Sequence, residues 1–462
     1  MFEMQQTIKK SISFCGEGIH TGVLTNITLK PAEEDAGIRF VRVDIKNNPE
    51  IKADVDNVFS TSRSTSIRKG NVEIHTVEHI LAAIAGAKID NLIIELDNIE
   101  IPILDGSAKQ FSEKIEEVGF LIQKSKRQYF EVTKKITLTD AETGTELTAT
   151  PSENYRIDVT IDYKSKILGL QNASLASISD FNTEIASNRT FCFLHELEEL
   201  LAKELIKGGN MNNAIIIVEN SIPNEQLAKL RKVFNNPKIK IHDGYLNNIT
   251  LRHKNEPARH KLLDVVGDLS LIGRPIKGKI TAFKPGHKNN IKFAKKIKRI
   301  MTEEQEKTAP KVDFTKKPMY DRKKIKSILP HRDPFLFIDE IRDISNNSIV
   351  GVKFVKPEDD YFRGHFPEEP VMPGVLQLET MAQTGGVLIL STVEKPENYL
   401  TFFMKIDNAK FKQKVIPGDT IIFKLSLISP IRRGLCHMHG IGFVNDKIVV
   451  EADLLAQIAP KK

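Results

Sequence analysis

Apolar and polar positions alternate along short stretches of the first 125 residues, at 25–30, 38–43 and 91–96. That period of two predicts half-buried β-strands. Between them the period lengthens to a helical one over about 75–85, with Thr76 placed to cap the helix and Gly86 to stop it. A second helix is expected after D-G-S at 105–107, with Ser107 as its N-cap. Strand patterns resume at 129–140, 145–151 and 155–163. They are followed by a helix at about 257–272, a strand at 278–283 and a basic helix after Gly286. The sequence therefore reads as two α+β layers in succession, over 1–127 and 128–301. Residues 302–319 lack periodicity, carry Pro310 and Pro318, and have the composition of a linker. From 320 to 462 the pattern changes to many strands and one long apolar helix, about 374–392. A sheet wrapped around one central helix follows from that pattern.

Composition narrows the class. At 462 residues the chain is too long for one ordinary domain. Its longest apolar runs fall far short of the roughly 20 residues that cross a bilayer, so no membrane span is expected. The N-terminus has no apolar signal-like stretch, and three widely spaced cysteines suit a reducing compartment. The expectation is a cytoplasmic protein. The net charge of +7 is concentrated: Lys284 to Lys326 holds 15 Lys plus Arg against 5 Asp plus Glu. Without interleaved aromatics or a recognised nucleic-acid motif, that stretch does not imply nucleic-acid binding.

Two constellations carry chemistry. In H-K-L-L-D-V-V-G-D (260–268), helical spacing places His260, Asp264 and Asp268 on one edge. An imidazole and a carboxylate there supply two of the three protein ligands of a hydrolytic zinc site. His79, in T-V-E-H (76–79), can be the third, with Glu78 beside it to take a proton from water. The first two-thirds of the chain thus read as a zinc hydrolase. In the last third, His365 precedes a proline-punctuated loop and Glu379 lies in the apolar helix that follows. A carboxylate in that setting suggests an acid, paired with a histidine base.

The first part resembles UDP-3-O-acyl-N-acetylglucosamine deacetylase, the zinc enzyme of lipid A synthesis. The matching stretches include G-E-G-I-H-T-G (16–22), H-T-V-E-H-I-L-A-A-I-A-G (75–86), I-P-I-L-D-G-S-A (101–108) and R-T-F (189–191). They continue with K-G-G-N-M-N-N-A (207–214), R-H-K-L-L-D-V-V-G-D (259–268) and G-H-K-N-N (286–290). The resemblance implies a two-layer α/β sandwich duplicated in two subdomains, with one zinc ion between them. It implies His79, His260 and Asp264 as metal ligands, Glu78 as general base, and His287 as the acid, oriented by Asp268. Thr190 and Lys261 would stabilise the oxyanion, and Phe191 and Tyr163 would hold the substrate, a UDP-sugar lipid precursor. An insert at about 189–218, with a Leu-rich helix at 194–205, would form the acyl passage. Residues 223–245 exceed the family pattern and suggest an added helix and strand.

The last part resembles the β-hydroxyacyl-acyl-carrier-protein dehydratases. The matches are I-L-P-H-R-D-P-F-L-F-I-D (328–339), G-H-F-P-E-E-P-V-M-P-G-V-L-Q-L-E-T-M-A-Q (364–383) and I-D-N-A-K-F-K-Q-K-V-I-P-G-D (406–419). The resemblance implies a hot-dog fold with sites at a dimer interface, His from one subunit facing Glu of the other, and no cofactor. His365 would abstract the α-proton, Glu379 would protonate the departing hydroxyl, and the Gly374 N–H would polarise the thioester carbonyl. Acyl carrier protein is the implied partner. A homo-oligomer of at least two copies is implied as well, since the family often forms hexamers. Alternatives for the last part remain a non-catalytic acyl-binding or oligomerisation module, or a thioesterase.

Overall fold

The computed structural model describes residues 3–196, 213–220, 222–233, 236–246 and 250–461. They divide into two compact units, Met1–Met301 and Thr302–Lys462.

The first unit uses one plan twice. Strands Ile12–Glu17, Leu24–Pro31, Ile38–Arg42 and Glu50–Lys52 lead to helix α1 (Glu78–Gly86), strand Leu92–Leu96 and helix α2 (Lys109–Val118). The second copy runs through strands Ile136–Asp140, Thr145–Thr150, Arg156–Asp162 and Leu170–Leu175. An insert carrying helix α3 (Asn224–Val233) follows, then helix α4 (Glu256–Ser270), strand Lys279–Phe283 and helix α5 (His287–Glu306). In each copy the last strand enters the middle of the sheet. Leu92–Leu96 lies parallel to Ile38–Arg42 and antiparallel to Leu24–Pro31. Lys279–Phe283 stands in the same relation to Arg156–Asp162 and Thr145–Thr150. A parallel neighbour requires a long crossover, and α1 and α4 lie on the two crossovers.

The strands alternate as their sequences predict: Ile157, Val159 and Ile161 are buried while the residues between them are less so. Helix α1 is apolar nearly all round and is buried accordingly. It starts at Glu78 rather than near 75, because His75 is still extended and pairs with Glu100, and Thr76 sits at φ 59°. Helix α2 starts at Lys109, and the expected cap Ser107 still accepts a hydrogen bond from the Lys109 N–H at 3.1 Å. One apolar core runs through both copies, from Phe40 and Leu81 to Val159, Leu262 and Phe293.

The second unit is a six-stranded antiparallel sheet around helix α6 (Gly374–Leu390). The strand order is Glu340–Ile344, Ser348–Phe354, Thr420–Leu427, Leu435–Val444, Lys447–Pro460 and Tyr399–Phe411. The segment before it is held against this sheet. Lys424 Nζ donates to the Gln305 carbonyl at 2.8 Å, and Arg342 Nη1 donates to that of Lys316 at 2.7 Å. Ala309 is buried with Ile441 and Phe443. A fragment beginning at 320 is therefore expected to melt below one beginning at 302, by roughly 2–8 °C for each kcal/mol these contacts contribute. Equal melting temperatures by calorimetry would show that the segment contributes nothing to the unit. Among the described residues, no helix is long and apolar enough to cross a membrane.

Candidate active sites

The first site forms where α1 and α4, equivalent helices of the two copies, meet. They approach closely because position 267 is glycine: a Cβ there would lie 2.1 Å from the Glu78 carbonyl oxygen. The approach sets His79 of α1 against His260 and Asp264 of α4. All three are buried, and one donor atom from each lies within 4.8 Å of the others. His260 Nδ1–H donates to the Asn188 carbonyl at 3.0 Å, which leaves Nε2 free to bind a metal.

His79 Nδ1 and Asp264 Oδ1 are buried without a hydrogen-bond partner. Buried polar atoms are rarely left so unless something else satisfies them. Burial pushes His79 down to about 3 and also lowers His260, so both imidazoles are neutral near pH 7. Burial would raise Asp264, but the Lys261 ammonium at 2.7 Å, with the surrounding imidazoles, holds it well below the usual carboxylate range. Two neutral imidazoles and a carboxylate are a donor set that suits zinc, and the orphaned atoms fit such an ion.

Around this triad stand Glu78 and His287. Burial pushes Glu78 up to about 7, against the pull of His287. Its Oε2 accepts from the Thr65 N–H at 3.0 Å, and its Oε1 lies 3.9 Å from His287 Nε2. His287 opens α5, and its Nδ1 is 2.9 Å from Asp268 Oδ2. Burial would lower this imidazole, but the Asp268 and Asp264 carboxylates raise it to about 9. Asp268 is itself held by the Thr65 hydroxyl at 2.5 Å and by Asn290 Nδ2 at 2.8 Å.

Lys261 Nζ lies 5.5 Å from the centre of the Phe191 ring, and Tyr163 meets that ring edge-on at 5.7 Å. Tyr163 is 42% exposed and so open to a ligand. Thr190 sits one residue before Phe191 and is tied to the first copy through its N–H, which donates to the Gly106 carbonyl at 2.8 Å. Arg189, buried, pairs with the fully buried Glu256 at 2.9 Å and so fixes the R-T-F segment. The G-E-G-I-H-T-G loop is pinned in the same manner: buried Glu100 accepts from the Thr21 N–H and the Thr76 hydroxyl, both at 2.8 Å.

Thr65, Asn188 and Asn290 had no role assigned from sequence. Asn290 lies inside a quoted motif, whereas Asn188 contributes through its backbone carbonyl, which no side-chain pattern announces. In the insert, Phe191–Phe193 and Ile215–Ile217 pair in parallel. The additional residues join the same sheet through Ile241–His242 and Tyr245–Leu246, with α3 beside them. The expected Leu-rich helix at 194–205 and K-G-G-N-M-N-N-A at 207–214 fall largely outside the described residues.

The second site lies on α6. Glu379, 18% exposed, faces a cavity of about 290 Å3 lined also by His331, Phe335, Gln383 and, from the edge strand, Phe402 and Phe403. His365 is not among the lining residues. Its Nδ1–H donates to the Val371 carbonyl at 2.7 Å, which leaves Nε2 as the basic nitrogen. Gly374 is the first residue of α6, where a Cβ would lie 2.8 Å from the Phe411 ring. The edge strand Tyr399–Phe411 exposes Phe402, Phe403, Met404, Ile406 and Phe411.

Comparison with known proteins separates along the same units. A family model described as UDP-3-O-acyl N-acetylglycosamine deacetylase (LpxC) matches residues 5–239 and 233–299. A FabA-like domain model matches residues 329–453. A protein of Porphyromonas gingivalis named "Bifunctional enzyme LpxC/FabZ" is 44% identical over 461 residues, 100% of both chains. One of the same name from Bacteroides thetaiotaomicron is 44% identical over 99% of both. A UDP-3-O-acyl-N-acetylglucosamine deacetylase of Myxococcus xanthus is 37% identical over 294 residues, 63% of this chain and 86% of that protein.

Proposed function

This chain belongs to the family of bifunctional LpxC/FabZ enzymes, and from that premise we propose how its residues divide the work. It joins a hydrolase and a lyase. The first unit removes the acetyl group from UDP-3-O-acyl-N-acetylglucosamine for lipid A. The second dehydrates 3-hydroxyacyl-acyl-carrier protein to the trans-2-enoyl thioester for fatty acid synthesis.

In the deacetylase, the observation that carries the reading is the buried triad His79, His260 and Asp264 with two orphaned donor atoms. These residues would hold a single zinc ion, which when bound supplies Lewis acidity toward the acetyl carbonyl and the attacking water. Glu78 takes the proton from that water. His287 Nε2–H gives a proton to the leaving amine, and Asp268 keeps its Nδ1–H pointed away from the reaction. The 3.9 Å between Glu78 and His287 suits a base and an acid working on one tetrahedral centre. Lys261 and Thr190 face the developing oxyanion, with Phe191 and Tyr163 against the sugar nucleotide. Acetate release is expected to disappear on chelation and return with zinc. Turnover that persists in fully metal-free protein would overturn the triad's role.

In the dehydratase, His365 Nε2 takes the α-proton, Glu379 protonates the departing hydroxyl, and the Gly374 N–H, at a helix start, binds the thioester carbonyl. The exposed apolar edge strand beside the Glu379 cavity supports a site completed by a second copy, so that each site pairs His365 of one chain with Glu379 of another. No cofactor enters this reaction. Mixing and reassociating His365→Ala chains with Glu379→Gln chains is expected to restore roughly a quarter of the parental dehydration rate. A mixture as inactive as either variant alone would place both groups in one chain's own site. We assign both reactions to the cytoplasm, a reading that the unpaired Cys15, Cys192 and Cys436 support.

A further inference from the structure

Glu379 has two neighbours that the reading above does not use. Gln383, one turn along α6 and fully buried, donates from Nε2 to Glu379 Oε1 at 2.9 Å. The same amide nitrogen donates to the Phe335 carbonyl at 2.8 Å, and its oxygen accepts from the Phe337 N–H at 2.8 Å. Gln383 is thus a fixed clamp between α6 and the loop that carries His331. From that loop, His331 Nε2 lies 3.4 Å from the same Oε1. His331 Nδ1 is buried and has no hydrogen-bond partner.

Gln383 donates to Oε1 and His331 Nε2 stands at ion-pair distance from it, whereas among the described residues no hydrogen bond is formed by Oε2. A carboxylic acid with donors gathered at one oxygen carries its proton on the other. We propose that His331 is a positioning residue for dehydration: with Gln383 it holds Oε1 of Glu379, so that the proton for the leaving hydroxyl is carried on Oε2. The step balances without it. The α-C–H bond breaks, its proton goes to His365 Nε2, and its electron pair becomes the new C=C bond. The β-C–O bond breaks as Oε2 delivers its proton, and water leaves. His331 neither gains nor loses a proton; it decides which oxygen is the acid. This inference rests on the assignment of Glu379 above.

The test is steady-state dehydration of a 3-hydroxyacyl thioester of acyl carrier protein by the full chain, with parent, Glu379→Gln, His331→Leu and His331→Gln in parallel. His331→Leu is expected to lose roughly 10- to 100-fold in kcat with KM unchanged, as a misplaced catalytic group does. His331→Gln, which puts an amide N–H where Nε2 stood, is expected to recover kcat to within about threefold of parent. If His331→Leu keeps parental kcat while Glu379→Gln is inactive, the positioning role is wrong and the assignment of Glu379 stands. If Glu379→Gln is fully active, the assignment itself falls and the positioning role with it. Should His331→Leu lose its melting transition, His331→Asn replaces it: a shorter amide cannot reach Oε1, so low kcat is again expected and parental kcat overturns the proposal.

Discussion

Glu78→Gln is expected to lower the deacetylation kcat roughly 10²- to 10⁴-fold, the range for losing a general base, with bound zinc unchanged. The amide preserves the size of the side chain and its acceptor for the Thr65 N–H, so the helix start and the triad beside it stay in place. What is lost is the basic oxygen. The pH profile separates this from a binding defect. Activity in the parent is expected to rise as Glu78, pushed up to about 7, loses its proton, and to fall as His287, raised to about 9, loses its own. A dication beside Glu78 favours the carboxylate and moves the acidic limb lower without changing its sign. Glu78→Gln should lack the acidic limb and keep the basic one. Acetate release by the zinc-loaded variant within about threefold of parent would remove Glu78 from the chemistry.

Gly267→Ala should damage both stability and metal binding. The added methyl would meet a backbone carbonyl at 2.1 Å, far inside contact distance, and a carbonyl in the first turn of α1 cannot rotate aside as a side chain can. Relief requires α1 and α4 to separate. Overpacking of this type costs about 1–3 kcal/mol and more where backbone must move. Separation also draws His79 away from His260 and Asp264, so zinc affinity is expected to fall roughly 10- to 100-fold, as it does when ligands lose their support. Thermal melts with and without zinc, together with a metal-competition titration, read both effects. A variant with parental melting temperature and parental affinity would show that the helices are not held by this contact.

Much of the first site was legible because its donors obey a local rule. His260, Asp264 and Asp268 fall four apart, and an α-helix turns that spacing into one edge. His79 was reachable only as a candidate, since nothing in the spacing of 79 and 260 says that two helices cross there; Gly267 says so only once the crossing is known. Asn188 acts through a carbonyl, and Thr65 lies in an irregular run of small polar residues, so neither announced itself. His331 stood inside a quoted motif, but its partner Glu379 is far along the chain. The shift of the first helix start to Glu78 follows from the left-handed Thr76, a conformation that a threonine does not advertise. The repetition within the first unit was implied by the family resemblance and by no repeated motif, because it resides in strand order and direction. The side chains on the two copies serve different tasks.

That repetition also bears on how the enzyme becomes active. In the proposed site one copy would supply a single ligand, His79, and the other would supply two, His260 and Asp264, so neither would hold the ion tightly by itself. Binding free energy at such a place is spent on keeping two half-structures docked. Zinc depletion should therefore be felt first as loosening along the α1–α4 seam, visible as faster amide exchange on those helices than on the outer strands. An ion held there for hydrolysis would also be the clasp between the two repeats.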